Sequence, residues 1–392
     1  MTHKTQRLSV IGLVLALAFT GVYLLMTLIA PASQNMTVAA AHPLSEINAC
    51  GTITGTTTWM SDTLYVANSC DIVVPTGVTL TIQAGTAVKF GGAASALIVQ
   101  GNLVAQGSEA NPVAITSLHD NAHGDPATGS SGTPAAGDWY GIHFDAGSVG
   151  NIEHAFIGYA GSGGWNATLG LWNSAQVRVV NASLNMQYTT VDSGLRCGIY
   201  LEGSGIIPTL QHVQVSNNAG STSWPYSNAV YQSTINMQPT YSDLTFSGND
   251  VNAVIIDWDS WNPMTQSVTL SGTVFSFACG FTSCPLSIPA DLTLTVAPGT
   301  QLSFPNDRYS LVAEAGATLL AEGTPTQPIT FTSILTAPLL GGWQGIVINT
   351  GATARLAHCD VSYGGAGTFG GLDLSATDVQ VRDCHIHHHQ YD

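Results

Sequence analysis

Residues 50–392 predict an all-β solenoid, short parallel strands stacked coil on coil, and three observations carry that prediction. The first is an internal duplication: TLTIQAGTAVKFGG and LIVQGNLVAQGSEANPVAIT, within 78–117, return as TLTVAPGTQLSFP and LVAEAGATLLAEGTPTQPITFTS within 292–333. The alignment pairs Leu80 with Leu294, Gly85 with Gly299, Phe90 with Phe304, Leu103 with Leu319, Gly107 with Gly323 and Pro112 with Pro328. Self-similarity of this kind marks a repeat architecture. The second is the apolar alternation between those glycines, too short and too Gly-bounded for helices. The third is composition: 8% of residues are charged and 45% hydrophobic, with 42 glycines, against about 25% charged in an average soluble domain. Many short strands must therefore bury alternate side chains.

Taken in order, the chain opens with 22 uncharged, mostly apolar residues over 9–30, preceded by Lys4 and Arg7 and followed by Pro31. This reads as a signal or anchor helix over 1–30, longer than a usual signal core of about 7–15 residues and long enough to span a bilayer. Cleavage near Ala41 and retention as an anchor, positive end inside, are both open. Either way the rest is delivered outside the cytoplasm. Residues 31–49 read as a tether, 50–270 as a first unit and 275–392 as a second, incomplete one. Cys50 and Cys70 bracket entry to the first unit, and Cys279 and Cys284 entry to the second. In an exported chain two local disulfides are expected there, with free buried thiols the alternative.

After Pro112 a loop over 118–137 carries His119, Asp120, His123 and Asp125, where the second copy needs only residues 334–341. The copies rejoin at GDWYGIHFDAGS and GGWQGIVINTGA, matching Trp139 with Trp343 and Gly141 with Gly345. PTLQHVQVSNN from Pro208 and PTYSDLTFSGN from Pro239 are successive coils of the first unit, each closing on Asn. Coils of about 20–30 residues with inward Val, Ile and Leu and polar corners describe a parallel β-helix.

These motifs, with IEHAFIGYAG from Ile152, resemble the right-handed parallel β-helix repeat proteins of bacterial cell surfaces and secretions. The resemblance covers nearly all of 60–392 and implies an extracytoplasmic location with roles in adhesion, surface architecture or glycan handling. It brings no catalytic residues. Its enzymatic relatives, polysaccharide lyases and polygalacturonases, need a basic residue beside a uronate or paired carboxylates at the scissile bond. Beyond the export segment Lys89 is the only lysine, the arginines are dispersed, and the motifs NTD, GHG and RIK are absent. Beyond position 45 lie 6 basic and 24 acidic residues, a balance of 6 − 24 = −18. Nucleic acid is thereby excluded as a natural partner.

Four residue sets are candidate sites. Asp138, His143 and Asp145 are replaced in the second copy by Gly342, Val347 and Asn349, so the coil does not require them. They are the catalytic set if this is a lyase or glycoside hydrolase; drift on a solvated face explains the same difference. Asp120 and Asp125 in the loop suit calcium or a sugar. Trp258 and Trp261 suit a glycan-stacking shelf or, equally, a packing role. In the terminal HIHHHQYD, strand alternation puts His385, His387 and His389 on one face with Asp360 beside His385, donors for zinc or copper; a frayed polar tail is the alternative. On the opposite parity Cys359 and Cys384 face inward in adjacent coils, as a thiol ladder or a disulfide. The second unit stops eight residues after Cys384, so the sequence predicts either a longer parent protein or a terminal coil covered by a partner or paired end to end with another chain, with the polar HIHHHQYD tail folding back as a short cap the alternative. The expected function is an exported surface scaffold presenting loops for adhesion or glycan binding.

Overall fold

The computed structural model describes residues 44–172, 175–203, 207–219, 228–367 and 370–391. The expected signal or anchor helix, the cleavage point near Ala41 and most of the tether lie outside them. Among the described residues no helix is long and apolar enough to cross a membrane. Residues 44–392 form one compact unit, all β, with long walls of parallel strands. The last part of the expected tether belongs to it: Ser45–Asn48 is a strand in register with Thr63 to Val66, because pairing satisfies main-chain groups that a tether leaves to water.

Each coil contributes one strand to each of three walls. Asn102–Gln106 lies in wall one, Val113–Ser117 in wall two and Trp139–Phe144 in wall three. The next coil repeats the order with Val149–Glu153, Ala155–Gly158 and Ala175–Val180, each parallel to its predecessor. Alternation then sends like residues inward at every level. Wall one stacks Ile82, Ala105, Ile152, Met186 and Leu210; wall two stacks Val88, Ile115, Ile157, Val191 and Val215. Wall three stacks Leu97, Ile142, Val177, Ile199, Val230 and Val254. All are buried in one continuous core.

The corners explain the polar residues between strands. From wall one to wall two the chain turns on a single left-handed residue: His154, Tyr188, His212 and Asp243, with φ of 47°, 47°, 50° and 53°. The amides of His154, Tyr188 and His212 still donate to the coil above, which offsets the cost of a positive φ. His154, Tyr188 and His212 stack their rings at 4.8 and 4.7 Å. Between walls two and three an amide ladder is buried: Nε2 of Gln176 donates to Oδ1 of Asn218, and Nδ2 of Asn218 to Oδ1 of Asn249, both at 2.8 Å. The closing Asn of the two successive coil motifs is this ladder.

The duplication is equally legible in side-chain surroundings. Trp139 stacks on Phe90 at 4.4 Å and donates Nε1–H to the Gly158 carbonyl; Trp343 stacks on Phe304 at 3.9 Å and donates to that of Ser362. Gly107 and Gly323 are glycine because a Cβ would lie 2.0 and 2.6 Å from the carbonyl oxygens of His154 and His358. Yet the second unit is turned by one wall. Val254 to Asp257, in wall three, pair with Phe275 to Ala278, and that wall continues through Gln301–Phe304, Ile329–Ser333 and Cys359–Ser362. By the alignment Ile329–Ser333 answers Val113–Ser117, a wall-two strand.

Of three disulfides, Cys50–Cys70 and Cys359–Cys384 tie adjacent coils and Cys279–Cys284 closes a turn within one coil, leaving Cys197 as a buried free thiol. In the last described coil Leu374, Val381 and Ile386 are exposed.

Candidate functional site

The long loop is organised by a residue to which the sequence assigns no role. Lys89 is fully buried, and its ammonium donates to the main-chain carbonyls of Asp120 and Asp125 at 2.5 and 2.6 Å. Burial pulls its pKa below the ordinary 10.5, against the attraction of Asp120, Asp125 and Glu46. The Asp120 carboxylate is bonded to Thr116, His123 and the amides of Ala122 and His123. Burial pushes that carboxyl up, but the bonds from His123, Thr116 and Ala122 outweigh it and hold the pKa below its usual value. Asp125 accepts from the amide of Leu44 at 3.2 Å. The Asp120 carboxylate is buried and fully engaged within the loop, Asp125 is half-buried, and an ammonium stands beside them as the loop's own cation.

Of Asp138, His143 and Asp145 the fold brings only the last two together. Asp138 precedes Trp139–Phe144 and accepts from Ser117 Oγ and the amide of Ala135 at 2.6 and 2.9 Å. Asp145 follows the same strand, seven residues on, so the main chain carries the two aspartates about 23 Å apart at about 3.3 Å per residue, far beyond the about 5–9.5 Å of a glycosidase pair. His143 is buried and bonded to Asp145 at 3.0 Å, with Gln100 on the other oxygen at 3.1 Å. The His143 bond, with that of Gln100, holds the Asp145 carboxyl below its usual pKa against burial. The expected catalytic set divides into two structural contacts at opposite ends of a strand.

A cavity of about 560 Å³ opens instead on the outer face where wall three passes into the second unit, lined by Asp257, Asp259, Trp261, Arg308, Tyr309 and Ile255 among others. DWDSW supplies three of these residues, and its two tryptophans part company. Trp258 is 1% exposed and packs edge-on against Phe277, so it is no shelf; Trp261 is 85% exposed, its ring T-shaped to Phe281 at 4.8 Å. Asp259 sets that turn by accepting from the amides of Trp261 and Asn262 at 2.8 and 3.1 Å. Arg308 is anchored to the Phe281 carbonyl at 3.1 Å. Asp257 accepts from the Tyr231 hydroxyl at 3.1 Å; burial raises its pKa, opposed by Tyr231 and helped by Asp259. Sequence reading found Trp261 but not Arg308 or Tyr309, which come from two coils further on.

A second aromatic pair escaped the sequence reading. Trp165–Asn166 and Leu171–Trp172 form an antiparallel hairpin on the outside of wall three, its tryptophans exposed and T-shaped at 5.6 Å. Asn166 ties it to Asp71 and the Ala94 carbonyl at 2.8 and 2.7 Å. The only signal was two tryptophans in a Gly- and Asn-rich stretch, GSGGWNATLGLWNS.

At the far end Asp360 and His385 are register partners, and Oδ2 of Asp360 lies 3.4 Å from His385 Nδ1 and 2.9 Å from His387 Nε2. His389, expected on the same face, is engaged elsewhere: Nδ1 accepts from the Gly364 amide at 3.0 Å and Nε2 meets the Val361 carbonyl at 3.1 Å. The strand ends at His387, so alternation no longer directs it.

Comparison with known proteins finds no matching family model, no similar curated protein and no similar solved structure.

Proposed function

We propose that this chain is an exported, right-handed parallel β-helix that binds an extracellular glycan in the groove around Trp261 and performs no catalysis of its own. The supporting observation is the groove itself. Its volume falls within the about 300–1,000 Å³ of ligand pockets. It offers one exposed indole face to a sugar's C–H surface, with Arg308 and Asp257 as directional polar partners. The hairpin tryptophans stand outside the same wall and supply a further stacking surface. Three disulfides suit an oxidising compartment, and the arginine-poor, acidic surface favours neutral over anionic glycans. The long loop needs no calcium, because Lys89 supplies its positive charge.

The enzymatic alternative has little to build on. Asp138 is remote from His143 and Asp145, and in the groove Asp259 is engaged by main-chain amides while Asp257 is bonded to Tyr231. A glycan array with the full exported chain, read together with assays for reducing ends and unsaturated uronates, tests the proposal. Binding without product is expected, and Trp261→Ala should weaken it at least about tenfold, or about 1.4 kcal/mol. Turnover abolished by Asp257→Asn or Asp145→Ala would overturn it.

A further inference from the structure

We infer that Asp360, His385 and His387 form a binding site for one divalent transition-metal ion of the zinc class, clamping the outer edges of two adjacent coils. All three stand on the outward face of neighbouring strands, Cys359–Ser362 and His385–His387, and their ligand atoms lie within 4.8 Å of one another. Two imidazole nitrogens converge on one carboxylate oxygen, at 3.4 and 2.9 Å. Tetrahedral zinc, with bonds of about 2.0–2.1 Å, separates its ligand atoms by about 3.3 Å, and the two distances bracket that edge. An imidazole lone pair and a carboxylate oxygen repel at such range unless a proton or a metal ion lies between them.

The surroundings favour the ion. His387 sets Nδ1 against Nδ1 of His388; with the proton of that pair on His387, its Nε2 lone pair is turned on Asp360, the kind of outer partner that orients metal-binding histidines. His385 is 74% exposed, so a fourth position is open to water. Two imidazoles and one carboxylate suit zinc, copper or nickel, whereas calcium takes six to eight oxygens. Inside the same two coils Cys359–Cys384 closes the opposite parity, so ion and disulfide would hold the pair of strands from both faces.

Zinc(II) and cobalt(II), titrated into the full chain after removal of adventitious metal, test the inference. One-to-one binding is expected, with the intense visible bands of four-coordinate cobalt. Asp360→Asn and His387→Ala should each weaken it more than about tenfold, while His389→Gln leaves it unchanged. Circular dichroism of the metal-free variants checks that the coil persists, with His385→Gln as an additional ligand variant. Absence of saturable binding overturns the inference. So does equal weakening by His389→Gln, which would mark non-specific chelation by a histidine-rich tail, or calcium binding as tightly as zinc.

Discussion

Lys89 shows how much a single buried charge can organise. Its ammonium holds the carbonyls of Asp120 and Asp125 together, fixing a loop that the second copy of the repeat lacks. Lys89→Met keeps the aliphatic bulk but leaves those two carbonyls short of a donor, a loss of about 1–3 kcal/mol. Hydrogen exchange over 118–137 should accelerate in that variant; unchanged protection would show that the loop stands without the ammonium. The pH dependence has a defined sign. Because burial lowers the folded-state pKa below 10.5, the unfolded chain binds more protons between the two values, and stability from this group rises with pH in that window. The methionine variant should lack the rise. None of this was legible in the sequence beyond Lys89 being the sole lysine after Lys4, since its partners lie 31 and 36 residues away and are main-chain atoms.

At the scale of the element, strands were more legible than corners, and corners more than contacts across the surface. Period-two alternation assigns Leu103 and Ile152 to the interior whatever the corner angle. The final Asn of the coil motifs was legible as a repeated corner residue, but not its bonding. In the structure Asn218 is the middle rung, accepting from Gln176 and the Gly194 amide and donating to Asn249. Asn218→Ala strands a buried donor on Gln176 and another on Gly194, while Asn249 Oδ1 keeps the amide of residue 218, so a cost of about 1–3 kcal/mol is expected. Urea denaturation checks it. A change below about 0.5 kcal/mol, the scatter of an ordinary surface substitution, would mean that water replaces the rung. The candidate site divides along similar lines. Trp261 was legible because an aromatic among aspartates draws notice, whereas the separation of Asp138 from Asp145 follows only from their standing at opposite ends of Trp139–Phe144.

Across the whole molecule, the duplication was legible in sequence but the one-wall turn between the copies was not, because wall identity depends on which strands pair and not on what they contain. The turn places Asp257, Trp261 and Arg308 around one cavity, so the groove belongs to the junction rather than to either copy. Trp139 and Trp343 measure how independent the copies are. Their surroundings match, yet following wall three from Trp139–Phe144 to the coil of Ile329–Ser333 takes seven strand steps, about 34 Å at about 4.8 Å each. In a solenoid each coil contacts only its neighbours, so damage should stay local. Trp139→Phe removes the bond to Gly158 and should speed amide exchange in the coils spanning 102–158. Trp343→Phe removes the bond to Ser362 and should do so in those spanning 318–362. In the double variant the two effects should sum, as for sites well beyond about 10 Å. If either substitution speeds exchange equally on both sides of 258–267, the junction couples the copies into one cooperative body, and the groove would then report strain from either end.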